Sequence, residues 1–147
     1  MYDTYGRFMD ALDDFRKLNL GTGDARLEDI LAAYGAFAED EENELYVITA
    51  YDGALLTIDL EEGRAVFGYT SIEEMHRSLD THKSLHYMHG KAYDMFKGML
   101  SNPKLDGIFI NDATKPCVYI PSEIVDATIR IADGIREKRI NQGVKDI

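Results

Sequence analysis

Cysteine is nearly absent from this chain, and long apolar runs are absent altogether. A single cysteine, Cys117, cannot form an internal disulfide, so nothing in the sequence points to an oxidising compartment. The first ten residues lack a basic start followed by an apolar run, which predicts that they are not a signal peptide. The longest apolar stretches, such as residues 45–50, are far shorter than the ~20 residues that cross a bilayer. The sequence therefore predicts a cytoplasmic protein.

Positive charge is scarce in the first part of the chain. Residues 1–62 carry four Lys or Arg against 16 Asp or Glu, whereas residues 63–147 carry 12 against 11, for a net charge of −11. A protein with this charge is repelled by nucleic acid and by anionic membranes, which we exclude as partners. It would attract a basic protein. The alternative interpretation is that the charge serves solubility alone.

The length of the chain predicts a single domain over residues 1–147, because 147 residues make one ordinary domain. Helical periodicity over residues 3–18 and 25–38 gives a helical N-terminal extension (1–40), and a sheet-bearing core follows (45–140). The predicted order is α-α-β-β-β-α-β-α-β-β-α. This order indicates an α/β (α+β) protein whose mixed, largely antiparallel sheet carries helices packed on it.

Local signals give four further expectations. Asp24 is a plausible N-cap for the second helix, because its carboxylate can accept from the first-turn N–H groups. Residues 39–44, with five acidic side chains, are expected to form a solvated connector. The three strands over residues 45–69 have short turns between them, which predicts an antiparallel meander. Thr70 or Ser71 is expected to cap the helix that follows.

The sequence offers little for catalysis or for metal binding. His82, His86 and His89 would share one face of a helix, an arrangement that could bind Zn²⁺, but residues 83–88 favour a loop leading into a strand. Cys117 begins an apolar strand without the cationic neighbours that activate a thiol. The phosphate-binding glycine patterns and the Gly-x-Ser-x-Gly pattern are missing. We therefore predict no catalytic residues, no metal and no cofactor.

Two stretches are candidates for recognition. The first is the polar face of the N-terminal helix, with Asp10, Asp13 and Asp14. The second is the loop between two apolar strands, with Asn111, Asp112 and Lys115, because loops held by rigid strands often carry binding residues. The alternative for the loop is an ordinary turn, since Asn and Asp favour turns for reasons of their own backbone.

Several of these segments, taken together, resemble the SseB-type family, which is named for enhanced serine sensitivity. The resemblance rests on the strand at residues 45–48, two short strands, the aromatic-rich segment 67–75, the helix at 90–100 and a strand that ends in Asn111. It covers residues 45–125, and Asp112 stands where the family usually has proline. The resemblance implies an α/β domain that is non-enzymatic, and it supplies no catalytic residues.

The sequence thus leaves three functions open. The first is a non-catalytic protein-interaction or regulatory module for a basic partner, with an immunity-type protein that neutralises a basic toxin as a variant. The second is a domain that binds a small molecule or a metal through the 111–115 loop or the 82–89 region. The third is an enzyme of unfamiliar type, which would need a pocket where titratable groups converge.

Overall fold

The structure is a computed structural model that describes residues 3–49, 54–79, 86–111 and 118–145. Within these ranges it has five helices and six strands, in the order that the sequence predicts. The expected α/β class with a mixed, largely antiparallel sheet is confirmed. The elements are α1 (Thr4–Asn19), α2 (Leu27–Glu39), β1 (Glu44–Thr49), β2 (Thr57–Leu60), β3 (Gly63–Tyr69), α3 (Ile72–Leu79), β4 (His86–Lys91), α4 (Ala92–Leu100), β5 (Gly107–Ile110), β6 (Val118–Pro121) and α5 (Ser122–Lys145).

The sheet order is β4-β1-β3-β5-β6, and β2 also pairs with β3. Strands β3 and β5 run parallel, and the other pairs are antiparallel. The predicted meander is wrong for β1, which pairs directly with β3. Strand β2 pairs antiparallel with β3 as expected, and an antiparallel bridge joins Thr49 of β1 to Leu55. Val47 and Gly68 are partners in the β1–β3 pairing, whereas Thr57 and Val66 are partners in the β2–β3 pairing. With seven residues, β3 is long enough to hold both strands.

The two faces of the sheet differ in composition, because side chains alternate along each strand. One face is aliphatic and joins the main hydrophobic cluster with the helices; we call it the helix-covered face. Its strand residues are Leu45, Val47, Val66, Ile108, Ile110, Val118 and Ile120. The opposite face, here called the aromatic face, carries Tyr46, Ile48, Phe67, Tyr69, Tyr87, His89, Phe109 and Tyr119 by alternation and register. Met75 of α3 packs on this face against Ile48 and Tyr69.

Four helices, α1, α2, α4 and α5, pack together over the aliphatic face. Helices α1, α4 and α5 contact the strands, and α2 packs against all three of these helices. The buried face of α1 carries Phe8, Leu12 and Phe15, as its periodicity predicts. At Gly35, α2 approaches α5 so closely that a β-carbon would collide with Ile131. The main hydrophobic cluster therefore contains both N-terminal helices together with the sheet.

One helix cap and one charged residue depart from the local expectations, and a second helix cap agrees with them. The predicted cap at Asp24 is wrong, because the N-cap of α2 is Arg26, which has an extended backbone and makes no side-chain capping bond. The prediction of a solvated connector is wrong at Glu39, whose side chain is 7% exposed and ion-paired. Its two carboxylate oxygens accept from Arg139 of α5 at 2.6 and 3.0 Å. The expected cap at Ser71 is confirmed, since its Oγ accepts from the Glu74 N–H at 3.1 Å.

Among the helices that the structure describes, none combines the length and the apolar character needed to cross a membrane.

Candidate functional site: an acidic cleft at the rim of the sheet

The three aspartates that the sequence singles out on α1 differ in their surroundings. Asp10 is exposed, and Asp14 is half-buried. Asp13 binds its own helix neighbours, with Oδ1 2.7 Å from Arg16 and Oδ2 3.1 Å from Lys17. The hydrogen bond from Arg16, followed by that from Lys17, lowers the pKa of Asp13 below its ordinary value. Because two cations already contact Asp13, Asp10 and Asp14 are the stronger candidates for meeting a partner.

Asn111 lies inside the protein, at the end of β5, and its side chain is fully buried. Its φ of 55° is left-handed, a conformation that Asn adopts more readily than most residues. The side-chain carbonyl accepts from the Thr70 N–H at 3.1 Å, and the amide donates to Thr70 Oγ1 at 3.0 Å. The same amide lies 3.9 Å from the sulfur of Met9. Asn111 therefore ties α1, β3 and β5 together, and its polar atoms are used within the fold.

The other expected loop residues, Asp112 and Lys115, lie outside the described residues, as do His82 and Cys117. The two described histidines of the 82–89 region are exposed on β4, three residues apart, and so lie on opposite faces. His89 stacks on Tyr46 with ring centroids 5.6 Å apart, and its Nδ1 lies 3.3 Å from Glu44 Oε1. Within the part of the chain that the structure describes, no group of three or more His, Cys, Asp or Glu could hold a metal ion.

A cleft that the sequence did not reveal lies where three segments meet: the start of α1, the start of β1 and the junction of β3 with α3. It has a volume of about 290 Å³. We call it the acidic cleft, and its characteristic lining residues are Tyr5, Glu42, Glu44, Tyr46, Thr70 and Glu73. The direct pairing of Tyr46 with Tyr69 forms it, since this pairing places the start of β1 beside the end of β3. Its sequence signals are the acidic run at 39–44 and the acidic pair at 73–74.

Hydrogen bonds fix both tyrosines at the acidic cleft. Tyr5 Oη shares a hydrogen bond with Thr70 Oγ1 at 3.3 Å, which links the cleft wall to the buried Asn111. Tyr46 Oη donates to Glu44 Oε2 at 3.4 Å. Partial burial, and then the negative charge of Glu44, raise the pKa of Tyr46 above its ordinary value, with a smaller contribution from Glu73. The phenol therefore stays neutral at physiological pH beside two carboxylates.

The charge of the acidic cleft has one sign. Its lining includes three glutamates, and no Lys or Arg is among the described residues that form it. Carboxylates attract a cation, and the faces of aromatic rings add a cation–π contribution of about 0.5–1 kcal/mol at exposed sites. The hydroxyl of Ser71, which also lines the cleft, is engaged in capping α3. The arrangement suits the side chain of a Lys or Arg.

No protein-family model, no curated protein and no solved structure matches this chain. The resemblance to the SseB-type family stays a prediction.

Proposed function

We propose that this protein is a non-catalytic binding module whose acidic cleft receives a basic segment of a protein partner in the cytoplasm. The single observation that carries the proposal is the lining of the cleft: Glu42, Glu44 and Glu73 line it together with Tyr5 and Tyr46, and no cation is among the described lining residues. A regulatory partner and a basic toxin share this chemistry, so the proposal includes the immunity-type variant.

Electrostatics on two scales support this proposal. The surplus of negative charge in residues 1–62 attracts a basic protein over long distances and raises the rate of encounter. At contact, a Lys or Arg side chain in the cleft would lie between carboxylates and tyrosine rings. Asp10 and Asp14 lie elsewhere on α1, the helix that contributes Tyr5 to the cleft, and add to the negative charge of the N-terminal part of the chain.

The test compares two triple variants that change the net charge equally. One carries Glu42→Gln, Glu44→Gln and Glu73→Gln in the acidic cleft. The control carries Glu28→Gln, Glu61→Gln and Glu123→Gln, three exposed carboxylates outside it. Tagged protein captures partners from lysate of its own organism at low and high salt, and mass spectrometry identifies them. Titration calorimetry with the purified basic partner then measures each affinity.

We expect the cleft variant to lose at least about tenfold in affinity, since each lost contact with a charged group is worth about 1.5–3 kcal/mol. The control should lose much less, and high salt should weaken binding of the parent because the Debye length shortens. Equal losses in the two variants would show that overall charge, and not the cleft, attracts the partner. A further variant, Asp10→Lys with Asp14→Lys, tests whether the polar face of α1 takes part.

A further inference from the structure

A second cavity lies between α4 and the helix-covered face. Its volume is about 290 Å³, and three methionines line it together with aliphatic side chains; we call it the methionine pocket. Its floor is formed by residues that are themselves buried, among them Val47, Val66 and Ile108. Exposed residues form its rim: Met88 of β4, and Asp94 and Gly98 of α4. The pocket therefore opens to solvent over an apolar floor.

Gly98 contributes no side chain to the rim of the pocket. A β-carbon at this position would meet no atom within 4 Å, so the space beside α4 is unfilled. Methionine is unbranched and adaptable, and methionine-rich surfaces accommodate ligands of varied shape. Small-molecule sites are typically apolar cavities of about 300 Å³ or more, with a few placed polar groups. The methionine pocket meets this description at its lower limit of size.

One charged side chain lines the methionine pocket, and it is the carboxylate of Asp94. Among the residues that the structure describes, no hydrogen bond or ion pair engages Asp94, whereas its neighbour Tyr93 is bonded to Asp133. An unengaged carboxylate at the mouth of an apolar cavity favours a ligand with a cationic head and an apolar body. We infer that the methionine pocket binds a small organic amine, with its hydrocarbon part among the methionines and its ammonium beside Asp94.

The inference does not rest on the proposed function, because the methionine pocket and the acidic cleft share no lining residue. The probes are 4-phenylbutylamine and 4-phenylbutyrate, which have the same apolar body and opposite charges. Titration calorimetry at physiological ionic strength measures the affinity of each probe for the parent protein. Amide chemical shifts of α4 and β4 report where each probe binds.

Three variants assign the binding. Asp94→Asn removes the charge and keeps the shape of the rim. Gly98→Leu narrows the mouth with a better helix former, so it preserves α4. Gly134→Leu on α5 is the matched control, since a β-carbon at Gly134 also meets no atom within 4 Å. Circular dichroism and urea denaturation confirm that each variant folds.

We expect the parent to bind the amine about fivefold more tightly than the carboxylate, the ratio typical of one partly exposed ion pair. Asp94→Asn should bring this ratio to about one, Gly98→Leu should weaken both probes by about tenfold or more, and Gly134→Leu should change neither. A ratio that survives Asp94→Asn would assign the preference to overall charge and overturn the role of Asp94. Absence of binding by both probes, or binding unaffected by Gly98→Leu, would overturn the site. None of these outcomes depends on whether a basic protein binds the acidic cleft.

Discussion

Leu45 and Tyr46 are neighbours in β1, yet their side chains lie on opposite faces of the sheet. Leu45 points into the helix-covered face and is fully buried, whereas Tyr46 lies on the aromatic face and is half-buried at the acidic cleft. Branched aliphatic side chains interdigitate at the density of a crystal, which gives stability without polar contacts. Aromatic rings with hydroxyl groups leave polar edges available for recognition. The contrast teaches that one strand can supply buried apolar packing on one side and a partly open polar surface, where we propose binding, on the other.

The largest expected effect of a substitution lies at Leu45. Leu45→Ala should lower the free energy of unfolding by about 3 kcal/mol, because it leaves a cavity in the main cluster. Tyr46→Ala, one residue away, should lower it by about 1 kcal/mol, since the ring is partly exposed and loses less buried area. Urea denaturation measures both values, provided that m, the dependence of the unfolding free energy on urea concentration, is unchanged. Similar losses at the two positions would contradict the division between the faces.

A second prediction concerns Asn111, at the end of β5. Asn111→Ala should lower the free energy of unfolding by about 2–3 kcal/mol, because it removes the hydrogen bonds to Thr70 and strains a left-handed backbone. Asn111→Gly keeps the backbone conformation and should cost about 1 kcal/mol less. The Thr70 amide should exchange faster with solvent in both variants. Equal stability of the two variants would show that the φ of 55° carries no strain.

The third prediction concerns the helices that cover the aliphatic face. Gly35→Ala should destabilise by about 2 kcal/mol despite better helix propensity, because its methyl group collides with Ile131 and separates α2 from α5. The matched change Gly134→Ala has open space and should stabilise by about 0.8 kcal/mol. Thermal unfolding of both variants checks the opposite signs. Stabilisation at Gly35 would show that the two helices can separate at little cost.

The smallest effect concerns a hydroxyl group beneath the covering helices. The Tyr34 hydroxyl is buried with no hydrogen-bond partner among the described residues. Burial, and then the charge of Asp14, raise the pKa of Tyr34 far above its ordinary value. Unfolded Tyr34 ionises near pH 10 and folded Tyr34 does not, so its contribution to stability is complete below pH 10 and is lost as the pH rises further.

Tyr34→Phe keeps the ring contacts with Phe8 and Phe15 and removes the hydroxyl. At pH 7 we expect the free energy of unfolding to be unchanged or higher by up to about 1 kcal/mol, because a desolvated polar group is gone. Above pH 10 the parent should lose about 1.4 kcal/mol per pH unit more than the variant. Urea denaturation at pH 7 to 11 measures both curves. Parallel curves would mean that Tyr34 ionises equally in the folded and unfolded states.

The sequence predicted the elements of the fold better than their pairing. Periodicity located each helix and strand to within a few residues, because burial of one face of an element imposes a regular spacing on its apolar residues. A meander would have placed β2 between β1 and β3. In the structure Tyr46 pairs with Tyr69 instead, and this long-range choice leaves no local signature.

The candidate site could not be predicted without that pairing. The acidic cleft joins residues near positions 5, 44 and 73, which come together once β1 lies directly beside β3. The burial of Glu39 has no local signal for a similar reason, because its partner Arg139 lies 100 residues away. Composition correctly located the surplus of negative charge, but only the fold shows which carboxylates share a cleft.

The docking of α2 on α5 has a consequence for the newly made chain. Residue 35 leaves the ribosome long before residue 131, and the pair from Glu39 to Arg139 spans almost the same interval. At translation rates of about 5–20 residues per second, roughly 5–20 s pass between the synthesis of α2 and that of α5. Helix α1 is made before α2, and α4 is complete before α5, so both can cover part of α2 in that interval; the stacked rings of Phe8 and Phe37, 3.8 Å apart, join α1 to α2. We therefore expect the contact between the two N-terminal helices to form during synthesis, before α5 completes the core.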